Sequence, residues 1–151
     1  IVRYRTTGVI DPTIKKRGIG HVVSAQDQSA SVHDSELSKG FTEFKHLCET
    51  LQPESVTMIP FDASVNPDKV QFFDKGEEID KINIKGRGGT CVQPVFDYIE
   101  ENDIEVDRLV IFTDMGIFHY PKDPPPYPVL WVNVSPTKSE APFGETIRVD
   151  Q

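Results

Sequence analysis

The sequence predicts an α/β fold on a mostly parallel sheet, and three observations carry that expectation. Short apolar runs alternate with segments whose apolar residues recur at helical spacing, which is the order of elements an α/β sheet requires. One run, Arg108–Leu109–Val110–Ile111–Phe112–Thr113–Asp114, is apolar from Leu109 to Phe112 without alternation, as in strands covered on both faces. The length of 151 residues, with 37% hydrophobic and 26% charged, suits one globular domain and argues against a disordered chain.

Taken in order, Gly18–Ile19–Gly20–His21–Val22–Val23–Ser24–Ala25 reads as a buried first strand, and the polar stretch Asp27–Gln28–Ser29–Ala30–Ser31 follows as a loop. Asp34 and Ser35 offer an N-cap. Leu37, Phe41, Phe44, Leu47, Cys48 and Leu51 fall at three-and-four spacing, so a helix is predicted over 35–51. It breaks at Gln52–Pro53. Ser55–Val56–Thr57–Met58–Ile59–Pro60–Phe61–Asp62 reads as a second strand. The turn signal Asn66–Pro67–Asp68 then leads into Lys69–Val70–Gln71–Phe72–Phe73, which is expected to pair with it as an antiparallel hairpin.

Lys85–Gly86–Arg87–Gly88–Gly89–Thr90 is a glycine-rich loop before a helix predicted over Val92 to Asn102, with Pro94 in the first turn, where no N–H partner is needed. Strand four is the run 108–114. Between Pro121 and Pro128 the sequence Pro124–Pro125–Pro126 excludes a helix and predicts an extended connector. Val129–Leu130–Trp131–Val132–Asn133–Val134 and Thr146–Ile147–Arg148–Val149 supply the last two strands.

Sixteen Lys+Arg against 24 Asp+Glu give a net charge of −8, which repels phosphate backbones and anionic lipid and disfavours nucleic acid and membrane as partners. The charge is uneven. Residues 1–20 carry Arg3, Arg5, Lys15, Lys16 and Arg17 against Asp11 alone, so residues 1–17 read as a basic lead-in to a domain over 18–151. Two cysteines, Cys48 and Cys91, are too few for a disulfide scaffold and point to a reducing, cytoplasmic setting. No apolar run reaches the length of a membrane helix.

In an open α/β sheet, ligands bind beyond the carboxyl ends of the strands. Three polar elements belong at that edge: Asp27, Ser29 and Ser31 after strand one, Gly88–Gly89–Thr90 ahead of the second helix, and Thr113–Asp114 at the end of strand four. Two carboxylates and three hydroxyls form an all-oxygen set. Such a set suits a hard cation such as Mg²⁺ and is wrong for zinc or copper. The carboxylates offset a divalent charge while the neutral hydroxyls leave the ion electrophilic, so an open coordination position would attract an outside carboxylate.

Asp27-Gln-Ser-Ala-Ser31, Gly86-Arg-Gly-Gly-Thr90 and Phe112-Thr-Asp114 together resemble the metal-ion-dependent adhesion site (MIDAS) of von Willebrand factor A (VWA) domains. With Pro126-Tyr-Pro-Val-Leu-Trp131 and Pro142-Phe-Gly144, the chain is most similar to the compact bacterial and phage VWA-like family that accompanies predicted metallopeptidase domains. The resemblance implies a Rossmann-like sheet of order 3-2-1-4-5-6 with strand three antiparallel and helices on both faces. It also implies a site for Mg²⁺, or Mn²⁺ or Ca²⁺, in which Ser29 and Ser31 bind directly, Thr90 directly or through water, and Asp27 and Asp114 mostly through water or hydrogen bonds.

Function would then be metal-dependent protein binding without turnover. The partner donates an acidic ligand, and an adjacent domain or a MoxR-type AAA+ ATPase is the expected source. Two features depart from the usual pattern. Ala30 replaces the loop glycine, which predicts a shifted turn, and the segment 116–128 is too short and proline-rich for the crossover helix of integrin-type domains.

Two rival readings share these residues. In a Mg²⁺-dependent phosphohydrolase Asp27 would be the nucleophile and Asp114 a metal ligand, but Ser29 stands where that chemistry needs a second acid. In a scaffold with a degenerate site, Asp27, Asp114 and the serines would only cap helices and turns. The glycine-rich loop lacks a P-loop lysine, and His21, His33, His46 and His119 form no zinc-peptidase motif.

Overall fold

In a computed structural model, residues 20–28, 34–75, 77, 91–117, 120–135 and 139–148 are described. The basic lead-in 1–17 lies outside them, as do Ser29, Ala30, Ser31, His33, the glycine-rich loop through Thr90, His119 and Val149. The strands are β1 (His21–Asp27), β2 (Ser55–Phe61), β3 (Gln71–Asp74), β4 (Arg108–Thr113), β5 (Val129–Asn133) and β6 (Glu145–Arg148). The helices are α1 (Asp34–Leu51), between β1 and β2, and α2 (Gln93–Glu101), between β3 and β4.

They form a six-stranded sheet in the order β3-β2-β1-β4-β5-β6. β2 and β3 pair antiparallel, with Val56 opposite Phe73, and the other four pairings are parallel. The expected architecture is therefore observed, with two local differences. Lys69 belongs to a one-turn 3-10 helix, Pro67–Lys69, so β3 starts two residues later than the alternation predicts. The Asn66 side chain, accepting from the Asp68 N–H at 3.0 Å, sets that turn. β1 also runs past Ala25, so Asp27 ends the strand and does not begin a loop.

Residues alternate between two cores, one on each face of the sheet. Val22, Val56, Met58, Val110 and Phe112 face α1, whose Phe44 is fully buried and meets Phe112 edge-to-face at 5.9 Å. Gly40 permits this approach, because a Cβ there would lie 3.3 Å from the Phe112 ring. Val23, Ala25, Ile59, Leu109, Ile111 and Trp131 face α2, which contributes Val95, Phe96 and Ile99. Pro94 sits in the first turn of α2 as predicted.

No helix is formed between β4 and β5 among the described residues; the chain reaches β5 through the proline connector. Trp131 anchors that side of the molecule. Its indole donates to the Phe143 carbonyl at 2.9 Å, and Tyr120 and Phe143 pack edge-to-face on it. Gly144 follows with φ +74, and a Cβ there would meet the Val129 carbonyl oxygen at 2.5 Å and Trp131 Nε1 at 3.2 Å. Gly144→Ala is accordingly expected to cost about 2 kcal/mol through steric overlap and left-handed strain. A lowered urea midpoint would register the loss.

Candidate functional site

The chain winds outward from β1 to β2 and β3 on one side, and from β4 to β5 and β6 on the other. The carboxyl ends of β1 and β4 therefore meet at the point where the strand order reverses, and successive crossovers leave a crevice there. Asp27 is the last residue of β1 and Thr113 the last of β4, with Asp114 next in the chain. The register pairs Gln26 with Phe112, which brings Asp27 alongside Thr113.

The Asp27 carboxylate is buried, with 1% of the residue exposed. Burying a carboxylate is costly unless hydrogen bonds or a cation compensate it. Thr113 provides one such bond: its hydroxyl donates to Asp27 Oδ2 at 2.6 Å. The same hydroxyl accepts the Met115 N–H at 3.1 Å, and Met115 takes a left-handed φ of 68° to turn the loop.

Asp114, half-exposed, accepts the Gly116 N–H on Oδ1 at 2.9 Å, while its carbonyl accepts the Ser135 hydroxyl at 3.2 Å. Ser135 in turn is held by Asn133, whose Oδ1 accepts both its N–H at 2.9 Å and its hydroxyl at 2.7 Å. The loops after β4 and β5 are thus tied together, and Asp114 sits on a braced support. Gln28, directly after Asp27, donates its backbone N–H to the Phe61 carbonyl at 2.7 Å, while its side-chain Oε1 is buried with no hydrogen-bond partner.

The family model described as VWA-like domain (DUF2201) matches residues 22–150. The chain belongs to this VWA-like family. No curated protein is a detectable match to it.

Of the five candidate ligands in this VWA-like domain, the structure brings the strand-end acids Asp27 and Asp114 to one sheet edge. Ser29, Ser31 and Thr90 lie outside the described residues. Thr113 was expected at this edge together with Asp114, whereas Asn133 and Ser135 were not. Asn133 ends the apolar strand β5 and Ser135 follows it two residues later, and both reveal their role only through the β4–β5 register.

Among the described residues no three His, Cys, Asp or Glu side chains gather to hold a metal. His21 and Cys48 stand elsewhere, while His33 and His119 lie outside the described residues. His21 is at the opposite end of the sheet, its ring nitrogens 2.6 and 2.7 Å from the Ser55 and Thr57 hydroxyls, and burial lowers its pKa despite Asp107 and Glu105. Burial and Glu49 push the Cys48 thiol up to about 11, which makes it a poor nucleophile. No helix among the described residues is long and apolar enough to cross a membrane.

Proposed function

We propose that this VWA-like domain is a non-catalytic protein-interaction module that works through a divalent cation, Mg²⁺ or alternatively Mn²⁺ or Ca²⁺. The supporting observation is the buried Asp27 carboxylate at the strand-order switch, locked by Thr113, the residue that precedes Asp114. A carboxylate in that position gains most from a cation, and the all-oxygen chemistry of the set fits a hard one. Gln28 Oε1 is a buried acceptor beside Asp27 in sequence that still needs a donor, and a cation's water would be one.

Ser29, Ser31 and Thr90 would supply the neutral ligands, with Asp27 and Asp114 balancing charge. Bound there, the ion would offer a Lewis-acidic position to an Asp or Glu of the partner. An adjacent domain of a longer polypeptide, a metallopeptidase neighbour or a MoxR-type AAA+ ATPase would be such a partner. Binding is favoured over phosphoryl transfer because Asp27 is 1% exposed and its Oδ2 is engaged by Thr113, a poor presentation for a nucleophile.

Thermal unfolding in EDTA and in Mg²⁺ tests the reading. With the ion at roughly a hundred times its Kd, stability is expected to rise by about 2 to 3 kcal/mol. Asp27→Asn, which keeps an acceptor for Thr113 but removes the charge, should abolish the rise. A melting temperature unmoved by millimolar Mg²⁺ and Mn²⁺ overturns the proposal.

A further inference from the structure

The β4–β5 crossover leaves a second feature at the other end of the sheet. Three successive prolines lack the N–H groups a helix needs, so the connector cannot lay a helix beside α2. Between the connector and α2, towards the N-terminal ends of β4 and β5, lies a pocket of about 760 Å³. Its base is apolar: Phe96, Ile99 and Val106 belong to the core, with Ile104 and Tyr127 packed against it.

Its walls carry Asp97, Glu100, Asp103, Glu105 and Asp123, and among the described residues no lysine or arginine lines it. None of these five carboxylates pairs with a cation among the described residues. Asp97 accepts the Gln93 amide at 2.9 Å, and all five acidic residues are exposed. The negative potential reaches the pocket base, where burial and then Glu100 push the Tyr127 phenol up to about 12.

We propose that this groove docks a basic amphipathic segment of a partner protein, with Lys or Arg groups meeting the acidic walls and apolar side chains entering the base. Charge complementarity and the apolar floor select this occupant together. The carboxylates do not gather in the threes that would hold one metal ion, so they suit positive charge spread along a chain. A polyamine would satisfy the walls but leave the base unfilled, and a nucleic acid would be repelled. Neither Asp27 nor Asp114 lines the groove, and a partner could engage both places.

Fluorescence anisotropy with a labelled peptide carrying Lys and Leu at helical three-and-four spacing tests the proposal. Binding is expected to weaken with salt, to be unaffected by EDTA, and to fall about tenfold or more in Glu100→Lys/Asp103→Lys. Glu43→Lys/Glu49→Lys makes the same charge change on α1, across the sheet, and should bind like the parent. If the first double variant fails to fold, Glu100→Gln/Glu105→Gln replaces it, with a smaller loss expected.

Equal loss in the groove and α1 variants overturns the site. Equal binding of a Lys/Ser peptide or of spermine overturns the role of the apolar base. Binding that appears only after Arg3, Arg5, Lys15, Lys16 and Arg17 are changed to Gln identifies the chain's own basic segment as the occupant, and overturns a partner in trans.

Discussion

Trp131→Ala is expected to lower the unfolding free energy by about 4 kcal/mol, in the range seen when a buried aromatic is truncated and the cavity only partly collapses. The side chain is fully buried on β5, so its whole volume is lost to the core. Its edge-to-face contacts with Tyr120 and Phe143 disappear, and the Phe143 carbonyl loses its donor. Against a marginal domain stability, such a loss removes much of the folded population at physiological temperature. Urea denaturation followed by far-ultraviolet circular dichroism measures it. Trp131→Phe, which keeps an aromatic ring but not the N–H, should retain more than half of the difference.

Thr113→Val, measured in EDTA, is expected to cost about 2 to 3 kcal/mol, the range for a hydrogen bond to a buried charged group. Valine keeps the shape and removes the hydroxyl. Asp27 Oδ2 then loses its donor and the Met115 N–H its acceptor, both where water does not readily replace them. Thr113→Ser should restore most of the stability. In Asp27→Asn the Thr113→Val penalty should shrink, because the acceptor is no longer a buried charge; a double-mutant cycle reads that coupling directly. Additive effects at the two positions would mean that the bond contributes little.

The sheet was legible because its strands are apolar runs separated by strong punctuation. The break at Gln52–Pro53, the Asn66–Pro67 turn and the three prolines ahead of β5 each mark an element boundary, and each boundary lies where expected to within a few residues. The end of β1 was not legible. The predicted strand stops at Ala25 and Asp27 reads as the start of a polar loop, yet Gln26 and Asp27 pair with Pro60 and Phe61 in the sheet. Hydrogen bonding to β2 and β4 overrides the local polarity, and no pattern within one strand reports that.

The site divides in the same way. Asp27 and Asp114 could be found because the motif spacing and the strand-end rule both point to them. The bracing of the edge through Thr113, Asn133 and Ser135 depends on side chains that meet across neighbouring strands. The acidic groove was hidden for a related reason: its carboxylates come from α2, the loop after it and the connector, and only the fold brings these segments together. The overall charge of −8 signals an acidic surface but not where it is concentrated.

Mn²⁺ binding followed by electron paramagnetic resonance tests the central claim, an oxygen-ligated cation site at the ends of β1 and β4, most directly. One Mn²⁺ per chain is expected, displaced by Mg²⁺ and lost in both Asp27→Asn and Asp114→Asn while circular dichroism shows each variant folded. Absence of binding at millimolar Mn²⁺, or binding that both variants retain, contradicts it.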